Sequence, residues 1–286
     1  MISDRGPFLL VDGQMGYGQV VGIDAMNAGL ARARELGVAI VGTRNVHHLG
    51  RIGEWGEMCA RAGFISIHYV NAVWINLLVA PHGGSDARFS TNPTCIALPA
   101  TPGNPPIVLD MATSAIAMGK VQVAYNKGVK VPPGTLIDEK GNPTDDPGVM
   151  LPRPARGALL AAGGHKGYGL AVLCELLGGA LTGGGATDPE TAVRDQIRNN
   201  MLSIIFDPDG FGLGEGWKAE VDRFTGYVKA SPPAPGVEAV MVPGDPERKT
   251  KAERERLGVP MDDGTWAGIV EAGRLVGLNA FEDLRR

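Results

Sequence analysis

At 286 residues the chain can bury one large core or two modest ones without disulfide or metal staples. Apolar residues make up 44% and charged residues 20%, an ordinary globular composition. The formal charge is −4 with Lys and Arg dispersed, so no basic face is available to neutralise phosphates or an anionic bilayer, which argues against nucleic-acid and membrane-surface partners.

In chain order, the apolar residues Val21, Met26, Leu30 and Ala33 recur at helical spacing and predict a helix over 20–36 that Gly37 stops. Val38–Gly42 reads as a buried strand followed by polar Thr43, Arg44 and Asn45. A second helix is expected over 52–61 and a second strand over 64–70, which lays down one layer of an α/β sandwich. Pro81–Gly84 is a turn, 94–99 and 107–111 are short strands, and a helix follows over 114–125. The Pro- and Gly-rich stretch 138–157 is expected to be one long loop of the binding or lid kind. An apolar helix is expected over 168–181, a mobile connection over 183–188 and a strand over 201–206. Beyond these the pattern predicts an amphipathic helix over 217–230, a strand over 238–242, a charged helix to Leu257 and a last helix over 265–278. The strands settle into no strict βαβ period, so a doubly wound parallel sheet is not expected.

Cys59, Cys95 and Cys174 include no CxxC pair and read as reduced thiols. The opening residues lack a signal-peptide pattern, and no apolar run approaches the ~20 residues needed to cross a bilayer. A cytoplasmic location is the resulting expectation.

Several constellations carry chemistry. His47 and His48 adjoin just past a strand, where a loop is held by the strand end, and an imidazole there can serve proton transfer near neutral pH. A zinc site built from His47, His48, His68 and His82 is the competing reading. Adjacent histidines on an extended chain point to opposite sides and no HExxH spacing is present, so no metal is expected. Gly163-Gly164-His165-Lys166-Gly167 opens a helix whose free N–H groups and lysine suit a phosphate or carboxylate, although it is no Walker A loop. Asp12–Gln19 looks like a dinucleotide turn, but Val21 stands where a third glycine is required and the segment does not follow βαβ order, so it is not a Rossmann fingerprint. Asp110 closes an apolar strand as either a helix cap or a functional acid. Arg44 and Arg153 are candidates for holding a carboxylate.

The segments DGQMGYGQVVG, VGTRNVHHLG, VAPHGG, TNPTCIALPA, IVLDMATSAIAMGK, GGHKGYGLAVLCELLGGALTG and VPGDPE, in this order, resemble successive blocks of the type 2 malate/L-lactate dehydrogenases. Ureidoglycolate dehydrogenase, diketogulonate reductase, sulfolactate dehydrogenase and the piperideine- and pyrroline-2-carboxylate reductases belong to the same group. The resemblance runs from about Pro7 to about Met261. It implies an α/β fold of α+β type, a mixed-sheet, non-Rossmann NAD(P)-binding architecture with a partial helical domain. It also implies hydride transfer between NAD or NADP and a small 2-hydroxy or 2-oxo acid, or a cyclic imine, in a homodimer.

Domain organisation by this likeness is a substrate- and dimer-forming part over 1–110, a cofactor-binding part over 111–245 and a helical part over 246–286. His48 takes the place of the family's histidine, a proton acceptor beside the nicotinamide, with Val46 and His47 replacing a serine and an asparagine. Asn71, Asp110, Met111, Ala112, Lys166, Pro243, Gly244 and Asp245 fall on cofactor-contacting blocks, and Arg44, the candidate for a substrate carboxylate, opens the block that holds His48. Ala72 and Asp245 depart from the family's serine and glutamate. The family's Ser-His-Gly-x-x-x-Arg block, which brings a second histidine, has no counterpart in these residues. The resemblance then implies a longer gene product, or a shortened paralogue in which catalysis is lost or rerouted through His48.

Overall fold

The computed structural model describes residues 1–188, 190 and 196–278. Residues 279–286 of the expected helical part lie outside the described residues. By internal contacts the chain divides into two compact units, Met1–Gly244 and Asp245–Arg286.

The first unit is organised by a seven-stranded sheet. Its strands are β1 (Ser3–Arg5), β2 (Phe8–Gly16), β3 (Val38–Val46), β4 (Ile65–Val73), β5 (Thr94–Leu98), β6 (Ile107–Met111) and, much later in the chain, β10 (Arg198–Phe206). The order across the sheet is β1-β2-β3-β10-β4-β5-β6, with only β2 and β3 parallel. Strands β2 and β3 are joined through helix α1 (Gly18–Leu36), so this segment does form a βαβ unit, contrary to the sequence expectation. Its turn is not a dinucleotide loop, because Asp12–Gly16 lies inside β2 and the pairing with β3 slips between Asp12 and Gly16.

Helices α1 and α2 (Gly53–Arg61) cover one face of the sheet. Alternation along the strands sends Val41, Val70, Cys95, Ala97, Met201 and Ile205 into a core with Met26, Leu30, Trp55 and Cys59 of these helices. Met26 and Cys59 are fully buried. Glycine sets the spacing, since a Cβ at Gly29 would stand 2.8 Å from both Val41 and Ile205, and a Cβ at Gly22 would enter the Trp55 ring. On the other face lies α4 (His165–Leu173), which loosens into a π-helical stretch over Cys174–Ala180. There a Cβ at Gly178 would sit 2.9 Å from the Tyr69 carbonyl oxygen, so the glycine lets the helix settle on β4.

The stretch expected to be a loop over 138–157 is more ordered than its composition indicates. Short strands β7 (Leu136–Ile137), β8 (Pro143–Thr144) and β9 (Ala158–Leu159) form a three-stranded sheet in the order β8-β7-β9. A second core of Leu136, Met150, Leu151 and Leu159 packs there with Val121 of α3 (Met118–Asn126). The expected strand over 238–242 is not formed: Met241 stays exposed, and nothing in that stretch joins a sheet. The 183–188 connection is pinned rather than loose, with Gly185 carbonyl accepting from Asn71 and Thr187 N–H donating to Glu175. Helix α5 (Glu215–Lys229) closes the first unit's regular structure.

The second unit contains α6 (Asp245–Leu257) and α7 (Asp263–Leu275). Asp262 caps α7 by accepting from Thr265 N–H at 2.9 Å.

Candidate active site

Sheet register brings the carboxyl ends of β2, β3, β4 and β6 and the amino end of β10 to one edge. Gly16 pairs with Val46, Val46 with Asn199, Arg198 with Val73, and Met111 with Thr94. His48, Asn71, Met111 and Ala112, far apart in sequence, therefore belong to the same edge. The backbone there is tight: Gln14, Met15 and Asn45 all have positive φ at the ends of β2 and β3. Left-handed conformations at non-glycine residues cost of order 1–3 kcal/mol and cluster at functional sites.

His48 sits in the loop between β3 and α2 and opens onto a cleft of about 550 Å³ lined by Met15, Gly16, Tyr17, Gly18, Gln19, His47 and His48. Both adjacent histidines line this cleft, contrary to the expectation that they diverge, because the strand has already ended at Val46. The loop is fixed at every step. Gly16 carbonyl accepts from His47 N–H at 3.0 Å, Asn199 Oδ1 from Leu49 N–H at 2.9 Å, and Asp110 Oδ2 from Gly53 N–H at 2.8 Å. Gly50 N–H donates to His48 Nδ1 at 3.0 Å. At Gly18 a Cβ would fall on the His48 carbonyl and within 2.7 Å of the His47 oxygen, so any side chain there would force the loop backbone to shift.

Behind the loop lies a buried polar network that sequence reasoning missed. Glu175, in the π-helical stretch and 5% exposed, accepts from Asn71 Nδ2 at 2.8 Å, Asn92 Nδ2 at 2.7 Å and Thr187 N–H at 2.8 Å. Asn200 Nδ2 donates to Asn71 Oδ1 at 2.9 Å, and Asn45 N–H donates to Asn200 Oδ1 at 2.9 Å. The available signals were Asn199-Asn200 at the head of an apolar strand and Glu175 inside an apolar helix. A π-helical turn at such a position is itself a feature that concentrates at functional sites.

The other residues singled out above fall as follows. Asn71 has both ends of its amide committed to protein groups. Asp110 holds the start of α2 and lies 3.9 Å from Arg51 Nη1. Arg44 Nε donates to Asp12 Oδ2 at 2.9 Å. Burial works to raise the Asp12 carboxyl, but hydrogen bonds from Gln14 N–H, Arg44 and Asn45 outweigh it and hold the group below its usual range. Pro243 carbonyl accepts from Val108 N–H at 3.3 Å, which places it beside β6, and Gly244 has φ +93. Asp245 opens α6 and accepts from Arg248 at 2.6 Å. Lys166 is exposed in the first turn of α4, where the His165 and His82 rings stand 6.0 Å apart. Arg153 lines a second cavity of about 310 Å³ and stacks over Trp74 at 4.9 Å. His68 belongs to no site: it is fully buried, bonded to Ser203 Oγ at 2.8 Å and Ser66 Oγ at 2.9 Å.

The glycines at the entry to α4 test whether a phosphate-bearing cofactor suits this chain. Gly163 and Gly164 have φ of +61 and +66. A Cβ at either would meet nothing closer than 3.8 Å, and at Gly169 nothing within 4 Å. Packing within the chain thus does not require glycine at 169, where it costs the helix roughly 1 kcal/mol. The Gly163 N–H, the positive end of the helix and the Lys166 ammonium form a donor set suited to a pyrophosphate, while Gly164 N–H is taken by the Ala161 carbonyl at 3.2 Å.

The sheet is mixed, with β2 and β3 its one parallel pair, and so differs from the doubly wound parallel sheet of the Rossmann fold, and its strand ends bring a histidine to a cleft lined by Gly16 and Gly18. The chain belongs to the malate/L-lactate dehydrogenase family, whose profile matches residues 1–270, and is thereby an oxidoreductase. Among its relatives, hydroxycarboxylate dehydrogenase B of Escherichia coli K12 is 46% identical over 279 residues, covering 97% of this chain and 76% of the relative. The L-lactate dehydrogenase of Cupriavidus necator is 44% identical over 253 residues, covering 88% and 72%. A solved E. coli structure superposes with a TM-score of 0.93 at 45% identity, covering 99% of this chain and 80% of the other. The delta1-piperideine-2-carboxylate reductase of Pseudomonas syringae pvar. tomato superposes with a TM-score of 0.75 at 30% identity, covering 98% and 79%.

Proposed function

We propose that the chain transfers a hydride between a nicotinamide dinucleotide, NAD or NADP, and C2 of a small 2-hydroxy or 2-oxo acid. The observation that carries this reading is His48, fixed by its loop over the glycine-walled cleft at the ends of β2 and β3. The names of the relatives, which act on hydroxycarboxylates and lactate, support the substrate class.

When bound, the dinucleotide supplies the hydride. The chain's own residues do the rest. Lys166 and the Gly163 N–H at the entry to α4 would hold its pyrophosphate, and Met111 and Ala112 would border it at the end of β6. Asn71 and Asp110, committed to protein partners, act from behind by fixing β4 and the His48 loop. Pro243, Gly244 and Asp245 are assigned to the cofactor on the likeness of their block. His48 attends the reacting oxygen, and Arg44, held by Asp12, is assigned to the substrate carboxylate. In the same reading, 1–110 supplies the substrate and subunit contacts and 111–245 the cofactor contacts.

The test follows nicotinamide absorbance with NADH and NADPH against a panel of 2-oxo acids and cyclic imino acids. Turnover of one panel member is expected. Nucleotide binding by calorimetry with no turnover of any member would leave a binding protein without catalysis and contradict the reading. A homodimer is proposed as well, supported by Leu173, Leu176 and Leu181, which leave an apolar strip exposed along α4 and its continuation. Light scattering at twice the chain mass is the expected result.

A further inference from the structure

Asn45 bends the chain toward the cleft three residues ahead of His48, in a left-handed conformation with φ +52. The pairing of β10 with β3 slips between Asn199 and Met201, so Asn45 has no paired residue on β10. The Asn200 side chain fills that gap, its Oδ1 accepting from Asn45 N–H at 2.9 Å. Asn200 Nδ2 donates to Asn71 Oδ1 at 2.9 Å, and Asn71 Nδ2 donates to the Gly185 carbonyl at 3.0 Å and to Glu175 Oε2 at 2.8 Å. This chain of bonds runs in one direction. A backbone N–H at one end can only donate and a backbone carbonyl at the other can only accept, so neither amide between them can turn over without losing partners. Asn71 and Asn200 are fully buried, and a Cβ at Gly184 would land on Asn200 Oδ1, which leaves the side chain no room to swing aside.

We infer that Asn200 is a positioning residue for His48: its oriented amide holds the bend at Asn45 and so fixes where the imidazole stands in the cleft. Asn200 does not line the cleft and acts through the Asn45 backbone. The effect on turnover rests on the proposed function, whereas the effect on Asn45 rests on the fold alone.

Two variants of the intact chain test it. Asn200→Ala removes both bonds. Asn200→Asp keeps the shape and the acceptor for Asn45, but its second oxygen faces Asn71 Oδ1, acceptor against acceptor, until a proton restores the donor. Burial and the facing oxygen raise such a carboxyl by several pH units. Glu175 lies beyond Asn71, and Asp12 and Arg44 lie beyond Asn45; the parent carries all three, so the ratio of variant to parent at each pH reports on position 200.

By NMR without ligand, Asn45 N–H should exchange at least ~10-fold faster in Asn200→Ala than in the parent, while Leu49 N–H, held by Asn199 Oδ1, stays within about twofold. Turnover is compared at a temperature where circular dichroism shows each variant folded. The kcat of Asn200→Asp should stand roughly 10- to 100-fold below the parent at pH 8 and return to within about threefold at pH 5.5, with KM within about twofold throughout, while Asn200→Ala stays low at both. A residue serving stability alone would not produce that pH-dependent ratio. Unchanged exchange at Asn45 overturns the inference whatever the activity. An Asn200→Asp ratio equal at the two pH values, or Asn200→Ala at the parental kcat, also overturns it and leaves the site reading intact. If Asn200→Ala does not fold, Asn200→Asp carries the exchange measurement, with Asn45 N–H released at pH 8 and protected at pH 5.5 relative to the parent. A parent without turnover on any acid sinks the proposed function, and the exchange result then decides the role of Asn200 by itself.

Discussion

His48 and His68 carry the same side chain into opposite surroundings, and the difference has consequences that can be measured. His48 is held at an open cleft, while His68 is sealed in the core between Ser66 and Ser203. Burial pushes the His68 imidazole down to about 3 from its ordinary 6.5. Unfolding returns it to water, so between these values the unfolded chain binds a proton that the folded chain refuses. Stability from this group is complete above about pH 6.5 and is lost progressively as the pH falls toward 3, by roughly 1.4 kcal/mol per pH unit. Urea unfolding at pH 7.0 and 5.0 should show this loss, and His68→Gln should flatten it; an equal slope in both proteins would contradict the assignment. Glu175 makes a second case at this scale. Glu175→Ala removes the acceptor of Thr187 N–H and one of the two acceptors of each of Asn71 Nδ2 and Asn92 Nδ2 in a buried site, so a loss of at least ~2 kcal/mol in urea unfolding is expected. None of this was visible in the sequence, where a histidine in a strand and a glutamate in an apolar helix declare neither their partners nor their depth.

At the scale of elements, local pattern and long-range pairing part company. Helix α1, with Met26, Leu30 and Ala33 on one face and Gly37 at its end, was legible because periodicity and a left-handed stop are local properties. The place of β10 was not: it enters between β3 and β4 from more than a hundred residues downstream and brings Asn199 and Asn200 under the His48 loop. Proline and glycine hid the small sheet of β7, β8 and β9, whose strands are only two residues long. The expected strand over 238–242 had apolar residues, yet no strand forms there. The junction of α1 with the His48 loop is the element contact on which the site depends most. Gly18→Ala would drive a methyl group into the His48 backbone, which cannot yield as a side chain tip would. A loss of ~1–3 kcal/mol in stability is expected, together with a larger fall in turnover than Gly119→Ala, where a Cβ meets nothing within 4 Å. Equal behaviour of the two variants would mean that the loop is not held by this contact.

For the whole molecule, the ordered blocks along the chain were enough to place it in its family, and profile and superposition agree with that placement. The mixed sheet, with its single parallel pair, explains why no Rossmann fingerprint is found although a βαβ unit is present. No helix among the described residues is long and apolar enough to cross a membrane. Binding of a dinucleotide to the folded state alone should raise the thermal midpoint, with about 2.7 kcal/mol of added stability at a hundredfold excess over Kd. The same titration with NADH and with NADPH ranks the two cofactors. A midpoint unmoved by either would speak against a nucleotide site.

The most direct test is a crystal structure of the chain with NADH and oxamate, a non-reacting likeness of a 2-oxo acid. The carbonyl oxygen of oxamate should lie ~2.7–3.2 Å from His48 Nε2, with the nicotinamide ring facing the same carbon across the cleft. Nucleotide density in another part of the molecule, with His48 remote from both ligands, would contradict the account.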